Sequence, residues 1–574
     1  MSSNLPPPSG PTTPPPGSPA QGEVLEQGSG SPVTASSSGG GGLRRGLFIA
    51  GGVIGATAIG VGAWAAYSFI STGPQPAEAL PAATLGYLSV DLDPIGGQKI
   101  EALRTLNKFP KFKDDVGVDT DDDIKKAIFE RILEEAPCDD LDYGDDLEPW
   151  LGDRAGVAAV DIGNDQPDVV LVVQVTDADK ADAGLEAIRD CEGSGDGASG
   201  GWVIEGDWAV ISESEDTAQD VVEAAREGSL ADDEDFQRWT GEAGDPGVVT
   251  MYAGPAVGDY LAEHSGDLLG FPFGSTECLM SDSLGGSLGS EGIDDGCADG
   301  DSGSGNPQLP DTIRQKLEDF QGIAGTVRFD DGAIELELAG GGAEQVPFFS
   351  GETTDDVISS LPGDTAAAFG VGFADDWLTD LLDLYAPMVG AGDVDELVAE
   401  LSEETGLDIP DDIETLLGDA AVLAVDSDID PDAVANSTDA SEVPVALKVK
   451  GDPDAIEEVL EKLRAQATSA DDFAIFESEA EGDFVAIGPN GDYRGKVLGE
   501  GELGDNDVFE DVVREVDSAS AVVFVNIDEL QELIEEATGG DDELMDNVEP
   551  LSGFGISTWV DDDTAHSVVR ITTN

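Results

Sequence analysis

Basic residues are scarce in this chain of 574: lysine and arginine together number 26 against 122 aspartates and glutamates, a formal net charge of -96. That imbalance excludes nucleic acid as a partner, because neutralising phosphates takes basic patches that release counterions. Anionic membrane surfaces and anionic wall polymers are repelled for the same Coulombic reason. Cations, basic proteins and water remain as the natural partners of such a field. Histidine is scarcer still, with only His264 and His566. A nucleophilic serine needs a histidine base oriented by a carboxylate. His264 lies 38 residues before Ser302 without any catalytic context, and Ser287 lacks a strand-to-helix elbow. The strings Gly300-Asp301-Ser302-Gly303 and Gly285-Gly286-Ser287-Leu288-Gly289 therefore read as the composition of a Gly/Ser/Asp-rich stretch. A P-loop, a dinucleotide fingerprint, HExxH and redox CxxC are all missing. The chain is expected to use no cofactor and not to be an enzyme. Aromatics make up 6% of the residues, and Trp150, Trp202, Trp208, Trp239, Trp377 and Trp559 are expected in core or sheet-edge packing.

Long apolar runs are equally rare, and the single one is informative. Residues 47–70 carry no charge, follow Arg44-Arg45 and hold Trp64 and Tyr67 near their far end. A helix of ~20 residues spans the hydrocarbon core of a bilayer, and basic flanks stay cytoplasmic while aromatics gather at interfaces. The run predicts a transmembrane helix with the N-terminus inside and everything beyond it outside the cell, placing the protein in the cell membrane. Ala77-Glu78-Ala79 matches a signal-peptide cleavage site, but the preceding tail and the run are too long for a signal peptide. Gly51 and Gly55 form a GxxxG pair, which offers a homodimer contact between membrane helices. Residues 1–43 are rich in Pro, Gly and Ser and predict a solvated, partly polyproline cytoplasmic tail.

Cysteine is limited to Cys138, Cys191, Cys278 and Cys297. An even number on the outer side of a membrane reads as two disulfides. Three pairings are open, of which Cys278–Cys297 with Cys138–Cys191 is the most economical. The competing metal site lacks a CxxC or a nearby histidine.

Beyond the run, 40% hydrophobic residues across the chain suffice for real cores, and an internal repeat is visible. Leu80-Pro81-Ala82-Ala83-Thr84 recurs as Leu361-Pro362-Gly363-Asp364-Thr365. Asp146 to Asp153 recurs as Asp412 to Asp419, each followed by an apolar strand ending in Val-Asp, at Val160-Asp161 and Val425-Asp426. VVLVVQVTDADKADAGLEAIRD resembles VPVALKVKGDPDAIEEVLEKLRAQ, and Gly206-Asp207-Trp208 resembles Gly482-Asp483-Phe484. GVVTMYAGPAVGDYL pairs with AVVFVNIDELQEL, and GIAGTVRFDD with GFGISTWVDD. The offset falls from 281 residues at the Leu-Pro box to 266 at the Leu-Gly-Asp box, and from 274 to 231 across the segment holding Cys278 and Cys297. Both length differences are insertions in the first copy, and both carry cysteines.

These patterns predict an α+β fold: a tandem duplication of a mixed module with mainly antiparallel sheets and flanking helices, preceded by one transmembrane helix. The extracytoplasmic copies are placed at 78–345 and 355–574. Helices are expected at 98–107, 123–135, 179–189, 217–227, 393–404, 453–467 and 527–537, several opening on an Asp suited to the N-cap. Glu205-Gly206-Asp207 between two apolar runs predicts a hairpin. Asp119, Asp121, Asp123 and Glu130 imitate a calcium loop, but Ile124 stands where the turn requires glycine. Gly117-Val118-Asp119 recurs as Gly406-Leu407-Asp408, so the segment reads as a helix start.

With ALPAATLGYLSVDLDP, PWLGDRAGVAAVD, GWVIEGDWAVISES and GSLADDEDFQRW in hand, the chain resembles the actinobacterial envelope proteins classed as domain of unknown function 3352. The resemblance covers roughly 78–574 and implies a membrane-tethered extracytoplasmic domain with no established activity, so it carries over no functional residue. The acid excess goes beyond what the resemblance implies. The leading expectation is a non-enzymatic, membrane-anchored protein of the cell envelope that binds an extracytoplasmic protein or ligand. Alternatives are a carrier or sensor of an apolar molecule held between the repeats, and a hydrolase built on the abundant carboxylates. The insertion at 265–310 is the expected point of partner contact.

Overall fold

Runs of β-branched and apolar residues bounded by Gly, Pro and Asp become strands, because such side chains pack well on a pleated, half-buried surface. In the first half these are β1 (Thr84–Asp91), β2 (Leu151–Val160), β3 (Asp168–Val175), β4 (Gly201–Glu205), β5 (Trp208–Ser212), β6 (Val249–Ala253), β7 (Ile323–Asp330) and β8 (Ala333–Gly341). In the second half they are β9 (Thr365–Gly372), β10 (Ala420–Asp426), β11 (Val445–Lys450), β12 (Ser478–Glu481), β13 (Phe484–Ile487), β14 (Ala521–Asn526), β15 (Leu551–Asp561) and β16 (Thr564–Thr573). The computed structural model describes residues 74–91, 97–116, 125–126, 141–164, 166–191, 200–264, 311–342, 353–385, 394–430, 440–466, 470–499, 501–561 and 563–574, all within the unit Arg44–Asn574.

All sixteen strands join one sheet in the order β12-β13-β11-β10-β9-β14-β15-β16-β8-β7-β6-β1-β2-β3-β5-β4. Every neighbouring pair is antiparallel. The α+β class with antiparallel pairing is as expected. A single continuous sheet is not: β16 lies against β8 from Thr564↔Gly341 to Thr572↔Ala333, so the halves share a ladder. Edge-to-edge joining leaves no sequence signal, since any strand edge offers the same backbone donors and acceptors.

Each half follows the same path, 4-5-3-2-1-6-7-8 matching 12-13-11-10-9-14-15-16. Local detail follows suit. The Thr84 hydroxyl donates to Pro81 O at 2.7 Å, and that of Thr365 to Pro362 O at 2.8 Å. Leu230 N donates to Leu80 O at 2.8 Å, and Leu503 N to Leu361 O at 3.0 Å. A register shift sits between Thr84 and Gly86 on β1 and, opposite the matching residues of β9, between Val425 and Asp426 on β10. Both hairpin turns place a glycine in the left-handed region, Gly206 at φ 59° and Gly482 at φ 63°, where other residues pay a steric cost. The glycine of the Leu-Gly-Asp box is required by contact: a Cβ on Gly418 would lie 2.2 Å from Lys450 O, and one on Gly152 2.7 Å from Gln174 Cβ.

Strand pairing corrects two of the alignments made on sequence. Thr84 pairs with Val160 and Thr365 with Asp426, so Asp426 occupies the position of Val160, not that of Asp161. Val90 pairs with Val249 and Val371 with Ala521, so Val249 matches Ala521, two residues from the match of Val-Val with Val-Val. Alternation has a period of two, so a two-residue slip keeps every side chain on its face and is invisible in the pattern.

Residues opposed in neighbouring strands share a face, which divides the cores in two. One face carries Tyr87, Val172 and Tyr252 in the first half and Ala368, Val422 and Phe524 in the second, beneath helices Glu215–Glu227, Glu234–Glu242, Gly491–Leu498 and Asp507–Val512. The other face is apolar almost throughout. One row of directly paired residues runs from Ile487 through Leu447, Leu423, Phe369, Val523, Ile556 and Val569 to Leu336, Val327, Val249 and Val90, and on to Ile204. Helices Gly97–Leu106 and Pro110–Val116 cover its centre through Ala102, Leu106 and Phe112. Helix Ala178–Cys191 covers the β3 end through Ala181 and Leu185, and helix Pro453–Arg464 the β11 end through Ile456 and Leu460.

Helices expected near 98–107, 179–189, 217–227, 393–404 and 453–467 occur as Gly97–Leu106, Ala178–Cys191, Glu215–Glu227, Val394–Thr405 and Pro453–Arg464, and 527–537 as Ile527–Ala537. Most of the helix expected at 123–135 lies outside the described residues, as do the tail 1–43 and the run 47–70 with Gly51 and Gly55. Among the described residues no helix is long and apolar enough to cross a membrane.

Candidate functional site

Of the residues that tempted as catalytic or ligating, only the two histidines are described in full. Ser287, Ser302, Cys138, Cys278, Cys297 and the Asp119–Asp123 loop lie outside the described residues, and Cys191 closes helix Ala178–Cys191 with its side chain outside them too. His264 caps helix Ala256–Glu263, its ring stacked on Tyr260 at 4.3 Å and its Nδ1 3.0 Å from Tyr260 O. His566 lies on β16, stacked on Trp559 at 5.1 Å and only 8% exposed. Burial holds its imidazole below the usual histidine range, against the opposing pull of Glu242 and Asp561. Among the described residues no group of three His, Cys, Asp or Glu is placed to hold a metal ion. Trp150, Trp208, Trp239 and Trp377 are buried, while Trp202 donates to Asp182 at 3.0 Å beneath Arg189.

The densest polar cluster lies at the junction of the halves. Glu335 on β8, 6% exposed, accepts from Arg328 Nε at 2.7 Å through Oε1 and bonds Arg570 through Oε2. Arg514 approaches the same Oε2 at 3.5 Å. Arg328 also pairs with Glu337 and donates to Asp245 O at 2.8 Å, and both Arg514 and Arg570 reach Asp330 at 3.4 Å. Burial pushes the Glu335 carboxyl up, but the hydrogen bonds and charges of Arg328 and Arg570 outweigh it and hold the group below the ordinary range. Three arginines meet three carboxylates, so the cluster balances itself and leaves no net charge for an anion. Its geometry fastens β16 to β8.

The second half buries further charge. Asp426 is held by Lys496 at 2.6 Å, and Lys496 also reaches Asp364 at 2.7 Å. Arg494 lies between Glu477 at 3.1 Å and Glu479 at 3.5 Å. Lys448, 2% exposed, donates to Ser360 Oγ at 2.8 Å and Ser360 O at 3.1 Å, over the ring of Phe484 at 5.1 Å. Burial pulls its ammonium down to about 8. A serine beside a lysine is a known nucleophilic pairing, but Ser360 Oγ already donates to Asp356 O at 2.6 Å in its own helical turn. The arrangement seats a buried cation.

Two large apolar side chains stand open side by side. Phe369 on β9 is 52% exposed and its direct partner Leu423 on β10 is 43% exposed, in the row that crosses the sheet. Their first-half equivalents, Leu88 and Val157, are half-buried, with Leu88 packed against the cluster under helix Gly97–Leu106. Four residues beyond Leu423 along the chain, Ser427 enters the lip of a surface depression of about 360 Å³ beside helix Ile527–Ala537. A second depression, of about 380 Å³, is lined by Asp232, Asp233, Glu234 and Asp235. Sequence reasoning missed Phe369 and Leu423, because an apolar residue in a strand reads as core on either face. Comparison with protein-family models, with curated proteins and with solved structures finds no match.

Proposed function

We propose that this is a single-pass, membrane-anchored extracytoplasmic protein, made of two copies of one module, that binds a partner outside the cell and performs no chemistry of its own. The observation that carries the binding reading is the open strip at Phe369 and Leu423. Exposed apolar area forgoes roughly 25 cal/mol per Å², and contiguous patches of it mark surfaces that something else covers. The anchor rests on the uncharged run 47–70 behind Arg44-Arg45, and the resemblance to the envelope family of unknown function accords with it. Duplication, with copies at 78–345 and 355–574, is supported by the shared strand path, the matched register shifts and the two threonine caps.

The carrier reading places an apolar molecule between the copies. Where the halves meet there is a β-ladder and a buried ion cluster, so such a molecule would lie along the apolar face instead. Cross-linking of the full-length protein in its native membrane, followed by mass spectrometry, separates the readings. A protein attached reproducibly to residues beyond 74 is the expected result. A stoichiometric apolar molecule and no protein would give the place to a carrier, and turnover of a wall polymer by the pure protein would sink both.

A further inference from the structure

Helix Ile527–Ala537 packs over β15 and touches β9, while Leu423 on β10 is exposed. Its sequence, IDELQELIEEA, holds five carboxylates and no cation. Asp528, Glu529 and Glu532 form one wall of the depression of about 360 Å³, with Ile429 and Leu533 also lining it. Leu423 lies four residues before Ser427 at its lip, about 13 Å along an extended strand, with Phe369 directly beside Leu423. Two exposed apolar side chains thus lie about 13 Å along β10 from an acidic trough. In the first half a helix packs on Leu88, so the same fold can cover this position, whereas its second-half equivalent Phe369 is exposed.

We propose that this strip and trough together form a docking groove for a basic amphipathic segment of another extracytoplasmic protein. The inference rests on reading the protein as a binding protein, and names where and what it binds. Charge selects the occupant. A strip walled by carboxylates, on a chain of net charge -96, repels phosphate-bearing lipid and a second copy of itself. A helix with leucines on one face and lysines on the other satisfies both halves of the groove, its apolar stripe on Phe369 and Leu423 and its cations on Glu529 and Glu532. Long-range attraction raises the rate of encounter, and the apolar contact supplies specificity against other cations.

The test uses the full-length protein in detergent and a fluorescent synthetic helix of leucine and lysine, about 18 residues long so that it folds on contact. Its control is a peptide of identical composition in an order that destroys the amphipathic stripe. Binding of the ordered peptide about tenfold tighter than the control is expected, with about a tenfold loss in the pair Phe369→Ser and Leu423→Ser. The pair Glu529→Gln and Glu532→Gln should weaken binding and flatten its salt dependence. Both pairs alter exposed side chains, and an unchanged melting curve verifies the fold. Equal binding of the two peptides, or binding indifferent to both pairs of substitutions, would reduce the effect to general polyanion attraction and overturn the groove. A change from dimer to monomer in the Phe369→Ser, Leu423→Ser pair without peptide binding would give the strip to a second copy and overturn it too. If the groove fails while a protein partner still cross-links in native membranes, the binding reading stands without it; with no partner at all, both fall.

Discussion

In the first half Asp91 faces Arg154 across β1 and β2, with Arg154 Nε 2.8 Å from Asp91 Oδ2; at the same two positions of the second half stand Gly372 and Ala420. The exchange also runs the other way. Asp426, held by Lys496, replaces Val160, and Lys448 stands where Val172 does between its neighbouring strands. Arg328 and Glu335, opposed on β7 and β8, correspond to Trp559 and His566, opposed on β15 and β16. Charges are gained or lost together with their partners. Removing one member of a buried pair strands the other at a cost of about 3–5 kcal/mol, whereas replacing both with packed apolar groups is close to neutral. Lys448 breaks the pattern, because it is buried without a carboxylate and rests on a serine.

That contrast can be broken most severely at the junction. Glu335→Ala removes the buried carboxylate shared by Arg328 and Arg570, leaving them only the carboxylates of Glu337 and Asp330, and is expected to lower unfolding free energy by about 3 kcal/mol, measured by urea denaturation. Because the folded carboxyl titrates below its ordinary range, its contribution is fully present above the unfolded value and is lost as pH falls through the folded one. The wild type should therefore lose stability in acid more steeply than Glu335→Gln, and parallel acid profiles would refute this.

Lys448→Met imports the apolar solution of the first half and should raise stability near neutral pH, by on the order of 3 kcal/mol. The sign follows from the depressed folded value of about 8. Between that value and the ordinary lysine range the unfolded chain binds more protons, so wild-type stability climbs as pH rises through this window. The Met variant should lose that climb. A Met variant less stable than the wild type at pH 7 would show that the bonds to Ser360 outweigh burial.

His566→Phe keeps a ring against Trp559 and removes the titration. Burial lowers the folded histidine value, so the unfolded chain takes up the proton first and stability falls as pH drops below the ordinary histidine range. The variant should resist that loss, seen as a smaller fall in melting temperature between pH 7 and pH 5. Smallest of all, Phe369→Ser and Leu423→Ser should leave stability within about 0.5 kcal/mol. A larger loss would mean that the strip belongs to the core in solution.

Much of this architecture is legible in the chain. The Leu-Pro-x-x-Thr boxes specify their own caps, because a threonine hydroxyl three residues after a proline reaches its carbonyl in either half. Gly206 and Gly482 mark hairpins since only the turn needs φ above zero. Register is less legible: the match of Val249 with Ala521 is hidden by a repeat of two, and Asp426 reads as a strand end until Lys496 is seen beside it. The openness of Phe369 and Leu423 is not written in β9 or β10 at all, because it depends on which helix lies across them.

The sequence by itself determined what short-range chemistry dictates: an uncharged run long enough for a bilayer, the acid excess, the antiparallel α+β class, the helix caps and the turns. Tertiary structure alone decided that the two halves share one sheet, that three arginines converge on Glu335, and that Phe369 and Leu423 stay open in an otherwise covered apolar row. Each of these arises between segments far apart in the chain, where backbone edges are interchangeable and only burial and charge pairing choose among them.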